Sequence, residues 1–510
     1  MARILAIHDS HNASICEVED NKIIYFQEAE RLNTIKYSGT WEILLEKYKD
    51  KKFHEIIFVF ARGDKDYTKD TKKQIKETFN LFNITCDIFS IKKEHHFFHA
   101  CVSFYNSGYD NSYCLVMDGS GGNDGRDNTE IVSLYYFNKN KYKKIFQVFS
   151  SDKDYIDGKN IYLNTLSIGL LFEWAAELYG YKGAGSVMGK SSFGENIEVE
   201  KIYTTKFNHF VFIQSKIVRL KNCDDLLGCC VVQKNSEDII LKYVKNIIKN
   251  KKRNLCVSGG VFQNTVINSK ILDICPNLYV DPFADDSGIS MGAALWKINT
   301  NKFVKNKINS LFLGDFPDYF LINTLPKEQV KTVTYKDVAE LISKKNIVAI
   351  YQGRNETGKR ALGNRSFLYD PRDNNGRDVL NRLKEREWFR PTAGTILHEH
   401  TKKWFDLKSK KETPFMSYVF KTKNKKIPGI THVDKTCRIQ TLKRNQNFHY
   451  YNLINEFYRT TKVPILLNTS FNFAGQPLVN SVKDALNTLA DNRNIFKYIY
   501  FPEIGKLYCK

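Results

Sequence analysis

The sequence has few of the residues that mark fibrous, disulfide-stapled or membrane-embedded chains. Its 510 residues include 28 Gly and 11 Pro, which excludes a collagen-like or low-complexity chain. None of the eleven cysteines forms a C-x-x-C pair, so we predict reduced, buried thiols and neither a disulfide framework nor a zinc site. No segment approaches the ~18 apolar residues of a membrane span, and MARILAIHDSHNAS lacks the apolar core of a signal peptide. We therefore expect a cytoplasmic protein with no membrane partner.

The composition is that of a globular protein with an excess of positive charge. Hydrophobic residues make up 42% and charged residues 26%, which excludes wholesale disorder, and the length suggests two or three domains. Lys and Arg number 77 against 56 Asp and Glu, a formal net charge of +21. This balance favours anionic partners such as nucleotides, acyl phosphates or nucleic acid. The lysines are scattered along the chain, so local basic clusters are more informative than the total charge.

Short apolar segments that end in small polar residues alternate with helical patterns. ARILAIHDS predicts a buried strand and a polar turn, and ASICEVEDNKIIYFQEAERL predicts two more strands. Further strands are predicted in EIIFVFAR, CLVMDGSGG, NLCVSGGVF and IVAIYQGR, and helices in YLNTLSIGLLFEWAAELYG and SEDIILKYVKNIIKN. This alternation predicts an α/β protein that binds its ligands at the ends of strands. The stretch around residues 300–330 is the best candidate linker.

Three histidines, His95, His96 and His99, lie in the segment KKEHHFFHACVSF. The apolar spacing predicts a helix, which places His95 and His99 one turn apart on one face. Such a pair can chelate a divalent cation, and a carboxylate from Asp118 or Asp286, both on predicted turns, could complete the set. Alternatively, one or two of these histidines are surface or core residues. A zinc peptidase is disfavoured because His96 occupies the Glu position of H-E-x-x-H.

Three strand-to-turn segments could bind phosphate: DSHNAS, MDGSGG and VSGGVFQN. Glycine at such turns lets main-chain N–H groups approach phosphate oxygens. Three of them within the first 300 residues are similar to the split phosphate loops of the actin/Hsp70/sugar-kinase superfamily. No Walker A sequence is present.

A run of basic residues separated by glycines occupies YQGRNETGKRALGNRSFLYDPR and the following NRLKEREWFRPTAG. Its members are Arg354, Lys359, Arg360, Arg365, Lys384, Arg386 and Arg390. Guanidinium groups pair bidentately with phosphate and carboxylate oxygens, so we predict a pocket for a small anionic substrate. Contact with a nucleic-acid backbone is the competing hypothesis, but few of the nearby aromatic residues look exposed enough to stack on bases.

Many segments together resemble, in order, those of the NodU/TobZ-type O-carbamoyltransferase family. They are IHDSHNAS, QEAERLNTIK, EHHFFHA, VMDGSGG, VSGGVFQN, DDSGISMGAA, GRNETGKRALGNRS, LKEREWFRP, HVDKTCRIQT and PILLNTSFN. The resemblance implies an α/β fold with an ASKHA-type domain over residues 1–325. This domain, actin/Hsp70/sugar-kinase-like and duplicated RNase H-like, would transfer the carbamoyl group and hold a metal. Residues 326–510 would form a YrdC-like domain that makes carbamoyl-adenylate.

The resemblance also implies the reaction and its partners. Carbamoyl phosphate and ATP, with Mg²⁺, would give carbamoyl-adenylate, phosphate and pyrophosphate, and the carbamoyl group would pass to a hydroxyl of a sugar, antibiotic or related metabolite. A divalent metal, with Fe²⁺ as the expected ion, would lie at the transfer site. The alternative acceptor is nucleic acid, either tRNA or a modified DNA base, which we do not favour. Whether the protein is a homodimer stays open.

Residue by residue, the resemblance implies four groups of functional side chains. The metal ligands would be His95, His99, Asp118 and Asp286. The catalytic residues would be Asp9, His11, Arg360 and Lys384. The contacts to carbamoyl phosphate and ATP would be Arg354, Arg360, Arg365, Lys384, Arg390, His432, Arg438, Asn468 and Ser470. The nucleotide phosphate loops would contain Gly119, Gly121, Gly259, Gly260 and Asn264. The sequence departs from the family pattern at Asn12, Ser186, Lys190 and Lys359, where we expect an effect on acceptor choice.

Overall fold

The computed structural model of the chain separates into two units. It describes residues 3–60, 69–121, 128–150, 155–157, 160–162, 165, 167–206, 209–249, 251–491 and 495–510. The first unit comprises residues 1–33 and 37–308, and the second comprises 34–36 and 309–510. The division after Ile308 lies inside the stretch 300–330 that the sequence suggested as a linker, and the expected boundary after residue 325 lies farther along the chain.

The first unit contains two five-stranded sheets. The strands of its first sheet are β1 (Arg3–His8), β2 (Ser14–Glu19), β3 (Lys22–Glu28), β4 (Lys52–Val59) and β5 (Thr85–Lys92). Those of its second sheet are β6 (Asn111–Met117), β7 (Glu130–Asn138), β8 (Lys141–Phe149), β13 (Leu255–Ser258) and β14 (Leu278–Val280). Two hairpins, β9 (Tyr155–Asp157) with β10 (Asn160–Tyr162) and β11 (Tyr203–Lys206) with β12 (His209–Phe212), stand apart. Strand β1 is buried at five consecutive positions, as expected for a strand covered on both faces.

The two sheets have the same topology. Their strand orders are β3-β2-β1-β4-β5 and β8-β7-β6-β13-β14. In each sheet the first two junctions are antiparallel and the last two are parallel. This repetition is the duplicated RNase H-like arrangement that the resemblance implied, and it confirms the predicted α/β fold. No repeat was visible in the sequence because the two halves share an order of elements and not a pattern of residues.

Nine helices are described in the first unit. They are α1 (Glu30–Asn33), α2 (Lys69–Leu81), α3 (His95–Ser107), α4 (Ile168–Leu178), α5 (Ala184–Ser191), α6 (Gln214–Arg219), α7 (Asp225–Ile248), α8 (Thr265–Ile274) and α9 (Gly288–Ile298). Helices α3 and α9 pack against each other, α3 also against the second sheet and α9 also against the first. A Cβ atom at Gly292 of α9 would overlap the carbonyl oxygen of Phe98 in α3, so the two helices cross with their main chains in contact.

The second unit is built on one mixed sheet of nine strands. In chain order they are β15 (Val330–Thr332), β16 (Val348–Tyr351), β17 (Arg365–Tyr369), β18 (Ala393–Leu397), β19 (Val419–Lys421), β20 (Thr436–Leu442), β21 (Ile465–Ser470), β22 (Tyr498–Phe501) and β23 (Lys506–Cys509). The order across the sheet is β15-β23-β22-β16-β17-β21-β18-β20-β19. Its helices are α10 (Tyr335–Ser343), α11 (Gly376–Leu383), α12 (Thr401–Trp404), α13 (Phe448–Thr461) and α14 (Val482–Ala490).

The strands predicted at β1 to β4, β6, β13 and β16 are confirmed, as are the helices predicted at α3, α4 and α7. All eleven cysteines lie among the described residues, and no disulfide joins any of them. Among the described helices, none combines the length and apolar character needed to cross a membrane.

Candidate active site

The two histidines of the predicted metal site lie on α3, which is buried along its whole length. All thirteen residues His95–Ser107 are buried, because the second sheet and α9 cover this helix. His95 and His99 are one turn apart, and their ring centroids are separated by 4.9 Å. The helix stops at Gly108, whose φ of 76° is a left-handed conformation that glycine adopts at little cost. The predicted helix therefore does present both rings on one face.

Asp118 and Asp286 meet both of these histidines. Oδ2 of Asp118 lies 3.7 Å from Nε2 of His95 and 3.4 Å from Nε2 of His99. Oδ1 of Asp286 lies 3.5 Å and 3.4 Å from the same two nitrogens. One ligand atom from each of the four residues lies within 4.8 Å of the others. Two imidazole nitrogens and two carboxylate oxygens at such separations can surround one divalent cation.

Close main-chain packing holds Asp118 in place at the end of β6. The N–H of Gly119 donates to Oδ1 of Asp118 at 2.7 Å, which leaves Oδ2 facing the histidines. Gly259 has a φ of +97°, and a Cβ atom there would overlap the carbonyl oxygen of Met117. The turn after β13 therefore passes beside Asp118 only because residue 259 is glycine. Ser167, the N-cap of α4, donates to the carbonyl oxygen of Gly119 at 2.8 Å.

The polar atoms that converge in this cluster fit a metal ion. Nε2 of His95, Nε2 of His99 and Oδ2 of Asp118 are buried without a hydrogen-bond partner. Unpaired buried polar atoms are costly, and a cation among them would remove that cost. Nδ1 of His99 lies 3.2 Å from Oγ of Ser258, the kind of second contact that orients metal-binding imidazoles.

The charges of the histidines and carboxylates in this cluster shift one another's pKa values. Burial acts to lower the pKa of His95, but Asp286 and Asp118 outweigh it and raise that pKa to about 10. Burial and Asp286 act to raise the pKa of Asp118, but His95 and His99 outweigh them and lower it to about 2. Without a cation, these shifts favour a protonated His95 and an ionised Asp118. Metal ligands must be deprotonated, so a bound cation would displace the proton of His95.

Asp9 and His11 both follow β1, and His11 lies at the rim of the cluster. Asp9 is buried, with 5% of its surface exposed, whereas the side chain of His11 is 63% exposed. Nε2 of His11 lies 3.5 Å from Oδ2 of Asp286. The structure thus brings His11 beside the four metal-ligand candidates. Next to it, Asn12 has a φ of 65°, a left-handed conformation that Asn tolerates better than most residues.

Glu173 of α4 is a rim residue that the sequence analysis missed. Its side chain reaches solvent, although protein surrounds its carboxyl group on the other sides. Partial burial and the charge of Asp118 raise the pKa of this carboxyl, while His11 acts to lower it. Gly169, at the start of α4, packs on Gly119. Glu173 lies one helical turn after Gly169. Only the packing of α4 on that turn reveals its position, and no local pattern in the sequence does.

The glycines of the predicted phosphate loops have different surroundings. Gly119, Gly259 and Gly260 gather around Asp118, and a Cβ atom at Gly260 would lie 3.0 Å from its Oδ1. Gly121 packs against His96 and donates its N–H to the carbonyl oxygen of Glu130 at 2.8 Å. These glycines serve the metal-ligand cluster and its support.

Asn264 caps a helix. Its Oδ1 accepts from the N–H groups of Val266 and Ile267 at the start of α8. Its Nδ2 donates to Oε1 of Gln233 at 2.8 Å. Both ends of the amide are therefore occupied within the protein, and a contact between Asn264 and a phosphate stays a prediction.

In the second unit, four arginines form a cluster, which we call the guanidinium cluster: Arg360, Arg386, Arg390 and Arg438. Burial, together with Arg390 and Arg360, lowers the pKa of Arg386 to about 10. Burial and the other three arginines lower the pKa of Arg438, and its Nε is buried without a hydrogen-bond partner. Guanidinium groups held close enough to repel one another are stabilised by a polyanion.

Lys384 is fixed beside this cluster by the turn that follows β21. The residue is 1% exposed, and its ammonium donates to the carbonyl oxygen and Oγ of Ser470 at 2.7 Å and 3.1 Å. It also donates to the main-chain and side-chain oxygens of Asn472. Burial and the neighbouring Arg386 lower the pKa of Lys384. The structure therefore joins Lys384 and Ser470, two of the predicted contacts.

Arg354 and Arg365 do not join the guanidinium cluster. Arg354 donates to the carbonyl oxygens of Gly314, at 2.8 Å, and Leu313. Arg365 is fully buried, donates to the carbonyl oxygens of Gln352, Asn364 and Gly353, and covers the ring of Tyr351. These guanidinium groups hold main-chain oxygens, which gives both residues an architectural role. Their contact with an anion stays a prediction.

His432 and Asn468 line the same region. Nε2 of His432 lies 3.1 Å from the carbonyl oxygen of Thr392, and burial lowers its pKa. Nδ2 of Asn468 donates to the carbonyl oxygen of Ala361 at 3.1 Å and to Oγ1 of Thr395 at 3.0 Å. Asn468 thus contacts the residue that follows Arg360.

Two further residues of this region were not among the implied contacts. Arg386 was part of the basic run, and Asn472 lies two residues after Ser470. The basic run singled out Arg386, whereas no pattern in the sequence singled out Asn472. Of the departures from the family pattern, Lys190 pairs with Asp225 at 2.9 Å and Ser186 is buried within α5.

Comparison with known proteins identifies the class to which this chain belongs. Residues 186–295 match the family model described as carbamoyltransferase N-terminus, and residues 339–500 match carbamoyltransferase C-terminus. An uncharacterized protein, MJ1051, of Methanocaldococcus jannaschii is 30% identical over 95% of this chain and 96% of its own length. The chain therefore belongs to the carbamoyltransferase family, and it is an enzyme of the transferase class.

Two other relatives are named as nodulation proteins. The nodulation protein NolNO of Sinorhizobium fredii is 27% identical over 94% of this chain and 76% of its own length. The nodulation protein NolO of Bradyrhizobium diazoefficiens is 35% identical over 46% of each chain. Among solved structures, full-length HypF in its phosphate- and nucleotide-bound form is 17% identical, with a TM-score of 0.42 over 58% of this chain and 55% of HypF.

Proposed function

We propose that the protein is an ATP-dependent carbamoyltransferase that works in two steps. In the first, carbamoyl phosphate, water and ATP give carbamoyl-adenylate, phosphate and pyrophosphate. Water displaces the phosphate to leave carbamate, and a carbamate oxygen attacks the α-phosphorus of ATP as pyrophosphate leaves. In the second, the oxygen of an acceptor hydroxyl attacks the carbamoyl carbon, a base takes the hydroxyl proton, and AMP leaves. The products are the carbamate ester and AMP.

The observation that carries the proposal is the guanidinium cluster. The first step brings together two polyanions, whose repulsion must be offset by fixed positive charge before attack. Mutual repulsion and burial lower the pKa values of Arg386 and Arg438, which is the state expected of a site shaped for anionic ligands. Lys384, held by Ser470 and Asn472, supplies a fifth cation at its edge. We propose this cluster, with His432 and Asn468 beside it, as the site of carbamoyl phosphate and ATP with Mg²⁺.

The transfer step fits the first unit. We propose that His95, His99, Asp118 and Asp286 hold a divalent cation, with Fe²⁺ the expected ion. Such a cation would supply Lewis acidity toward the carbamoyl oxygen. Asp9 and His11, which follow β1, would receive the proton of the acceptor hydroxyl, directly or as a pair. The exposure of His11 and Glu173 supports a rim that is open to a hydroxyl-bearing sugar, antibiotic or related metabolite, and we retain the expectation of a cytoplasmic enzyme.

Two measurements test this function. The wild-type protein should release pyrophosphate from ATP only when carbamoyl phosphate is present, with reactions that lack either compound as controls. A panel of sugars and aminoglycosides incubated with both compounds should then contain a product heavier by one carbamoyl group, ~43 Da, as expected for transfer from an activated acyl donor. Absence of pyrophosphate release would refute the proposal. Transfer to tRNA alone, with affinity that falls steeply with salt, would favour the nucleic-acid alternative.

A further inference from the structure

The loop Ala361–Asn364, which joins Arg360 to β17, is held by buried side chains at most of its main-chain polar groups. Its carbonyl groups are bound by amides from three different strands or loops, and one N–H is bound by a hydroxyl. These contacts are Asn468 Nδ2 to Ala361 O at 3.1 Å, Gln440 Nε2 to Leu362 O at 3.0 Å, Gln352 Nε2 to Gly363 O at 2.7 Å, and Gly363 N to Ser366 Oγ at 3.1 Å.

Glu356 holds two further N–H groups of this loop. Its Oε1 accepts from the N–H of Leu362 at 2.7 Å and from the N–H of Asn364 at 2.8 Å. The residue is fully buried, and its Oε2 has no hydrogen-bond partner among the described atoms. One carboxylate oxygen therefore fixes the peptide groups two and four residues after Arg360.

This contact decides how the loop can bind an anion. In glycine-rich phosphate loops the N–H groups point toward the phosphate. Here the N–H groups of Leu362 and Asn364 point toward Glu356, so an internal carboxylate takes the place that a phosphate would take. The N–H of Gly363 is likewise bound within the protein, to Ser366. With three consecutive N–H groups of the loop held internally, the side chain of Arg360, at the start of the loop, is the group we expect to bind an anion here.

We infer that Glu356 is a positioning residue that sets the direction of Arg360 toward carbamoyl phosphate. This inference rests on the proposed function, because it takes the guanidinium cluster as the site of the first step. A long arginine side chain orients well only when its main chain is fixed, and small misplacements of a positioning group are costly in catalysis. Glu356 fixes that main chain from the buried side without touching the substrate.

Three variants separate positioning from a general loss of stability. Glu356→Gln keeps an oxygen that can accept both N–H groups, and we expect its KM for carbamoyl phosphate to stay within about threefold of wild type. Glu356→Ala removes the acceptor and should raise that KM by roughly tenfold or more. Glu356→Asp shortens the side chain by one methylene, which moves the acceptor oxygen away from the loop and should also raise the KM. This variant keeps the test available where the alanine variant does not fold.

Asp373→Asn is the matched control. Asp373 is also buried, and it accepts from the N–H of Asn375 at 3.1 Å and from the hydroxyl of Tyr369 at 2.8 Å. Its loop carries no member of the guanidinium cluster. We expect this variant to lose stability without any change in the KM for carbamoyl phosphate. An equal rise in KM in Asp373→Asn and Glu356→Asp would assign Glu356 a structural role only.

The decisive experiment is a double-mutant cycle with Arg360→Lys, measured by pyrophosphate release from ATP and carbamoyl phosphate. If Glu356 acts through Arg360, the combination of Glu356→Asp and Arg360→Lys should be no worse than the poorer single variant. Effects that multiply would overturn the inference while leaving the two-step reaction standing. A wild-type protein that releases no pyrophosphate would overturn the proposed function, and with it the assignment of Arg360 as the group that Glu356 serves.

Discussion

Asp286 directs the two oxygens of its carboxylate toward different histidines: Oδ1 lies 3.4 Å from Nε2 of His99, and Oδ2 lies 3.5 Å from Nε2 of His11. One oxygen therefore belongs to the buried metal-ligand cluster and the other to the exposed rim. A change at Asp286 is expected to alter both the metal and the position of His11, whereas changes at His99 or His11 affect one side each.

Replacing both helix histidines should remove the metal without affecting the second unit. We expect His95→Ala with His99→Ala to lower bound divalent metal by at least roughly tenfold, because two of four ligands are lost. Transfer should stop, whereas pyrophosphate release should persist. Metal content by mass spectrometry and pyrophosphate release are the two measurements.

His96→Gln is the control for this pair. His96 lies on the same helix and is equally buried, but its Nδ1 faces Oγ of Ser133 at 2.8 Å and it is not among the four ligand candidates. The His96→Gln variant should retain its bound metal. Undiminished metal in the double variant, or equal loss in His96→Gln, would refute the ligand set.

Arg360→Ala should abolish the first step while the fold stays intact. We expect carbamoyl-phosphate-dependent pyrophosphate release to fall by at least ~100-fold, since a fixed positive charge that offsets the repulsion of two anions is removed. The exposed Arg459, which pairs with Glu456 at 2.8 Å, provides the control Arg459→Ala, with unchanged release. A retained wild-type rate in Arg360→Ala would contradict the assignment of the cluster.

Gly292→Ala should disturb the metal site from a distance. A Cβ atom at residue 292 would overlap the carbonyl oxygen of Phe98, so α9 must move away from α3, at a cost of about 1–3 kcal/mol in the free energy of unfolding. Asp286 precedes α9 and His99 lies on α3, so metal affinity should fall as well. At Gly376, where the nearest atom to an added Cβ is 3.4 Å away, alanine should leave both quantities unchanged. Chemical denaturation measures the free energy of unfolding, and metal titration measures the affinity.

Asp281 should make the stability of the first unit depend on pH. Burial raises its pKa to about 7, against the opposing hydrogen bond from the N–H of Phe283. The unfolded chain loses this proton near pH ~4, so between about pH 4 and pH 7 the folded state holds more protons. The free energy of unfolding should therefore fall as pH rises through this window, by up to about 4 kcal/mol.

Denaturation of Asp281→Asn at several pH values tests this prediction. The asparagine variant should lack this part of the pH dependence. Exposed Asp110, which pairs with Lys305 at 3.1 Å, offers Asp110→Asn as a control with the wild-type profile. An identical pH profile in the wild type and Asp281→Asn would show that Asp281 does not bind a proton in this range.

Much of the fold could be predicted from local patterns. Continuous apolar segments identified strands such as β1 and β13, and the spacing of His95 and His99 identified one face of α3. The order of known motifs indicated both the family and the α/β class. These features depend on neighbouring residues, whose periodicity the sequence displays directly.

The site required contacts between distant parts of the chain. Arg365 and Arg360 both belong to the basic run, yet Arg365 binds main-chain oxygens while Arg360 joins Arg438 from another strand. Asn264 looked like part of a phosphate loop, but Gln233 of α7 occupies its amide. Glu173 has no distinguishing sequence context, and Glu356 lies inside the basic run, where the sequence drew attention to the cations and not to the carboxylate.

The order of residues alone thus determined which segments become strands and helices, and which side chains stand together on one face, because those properties arise within a few residues of the chain. Tertiary structure alone decided which charges face one another. The ionisation of Asp118, the grouping of four arginines and the burial of Glu356 depend on elements that fold together from separate parts of the chain, where exclusion of water sets the strength of every electrostatic contact.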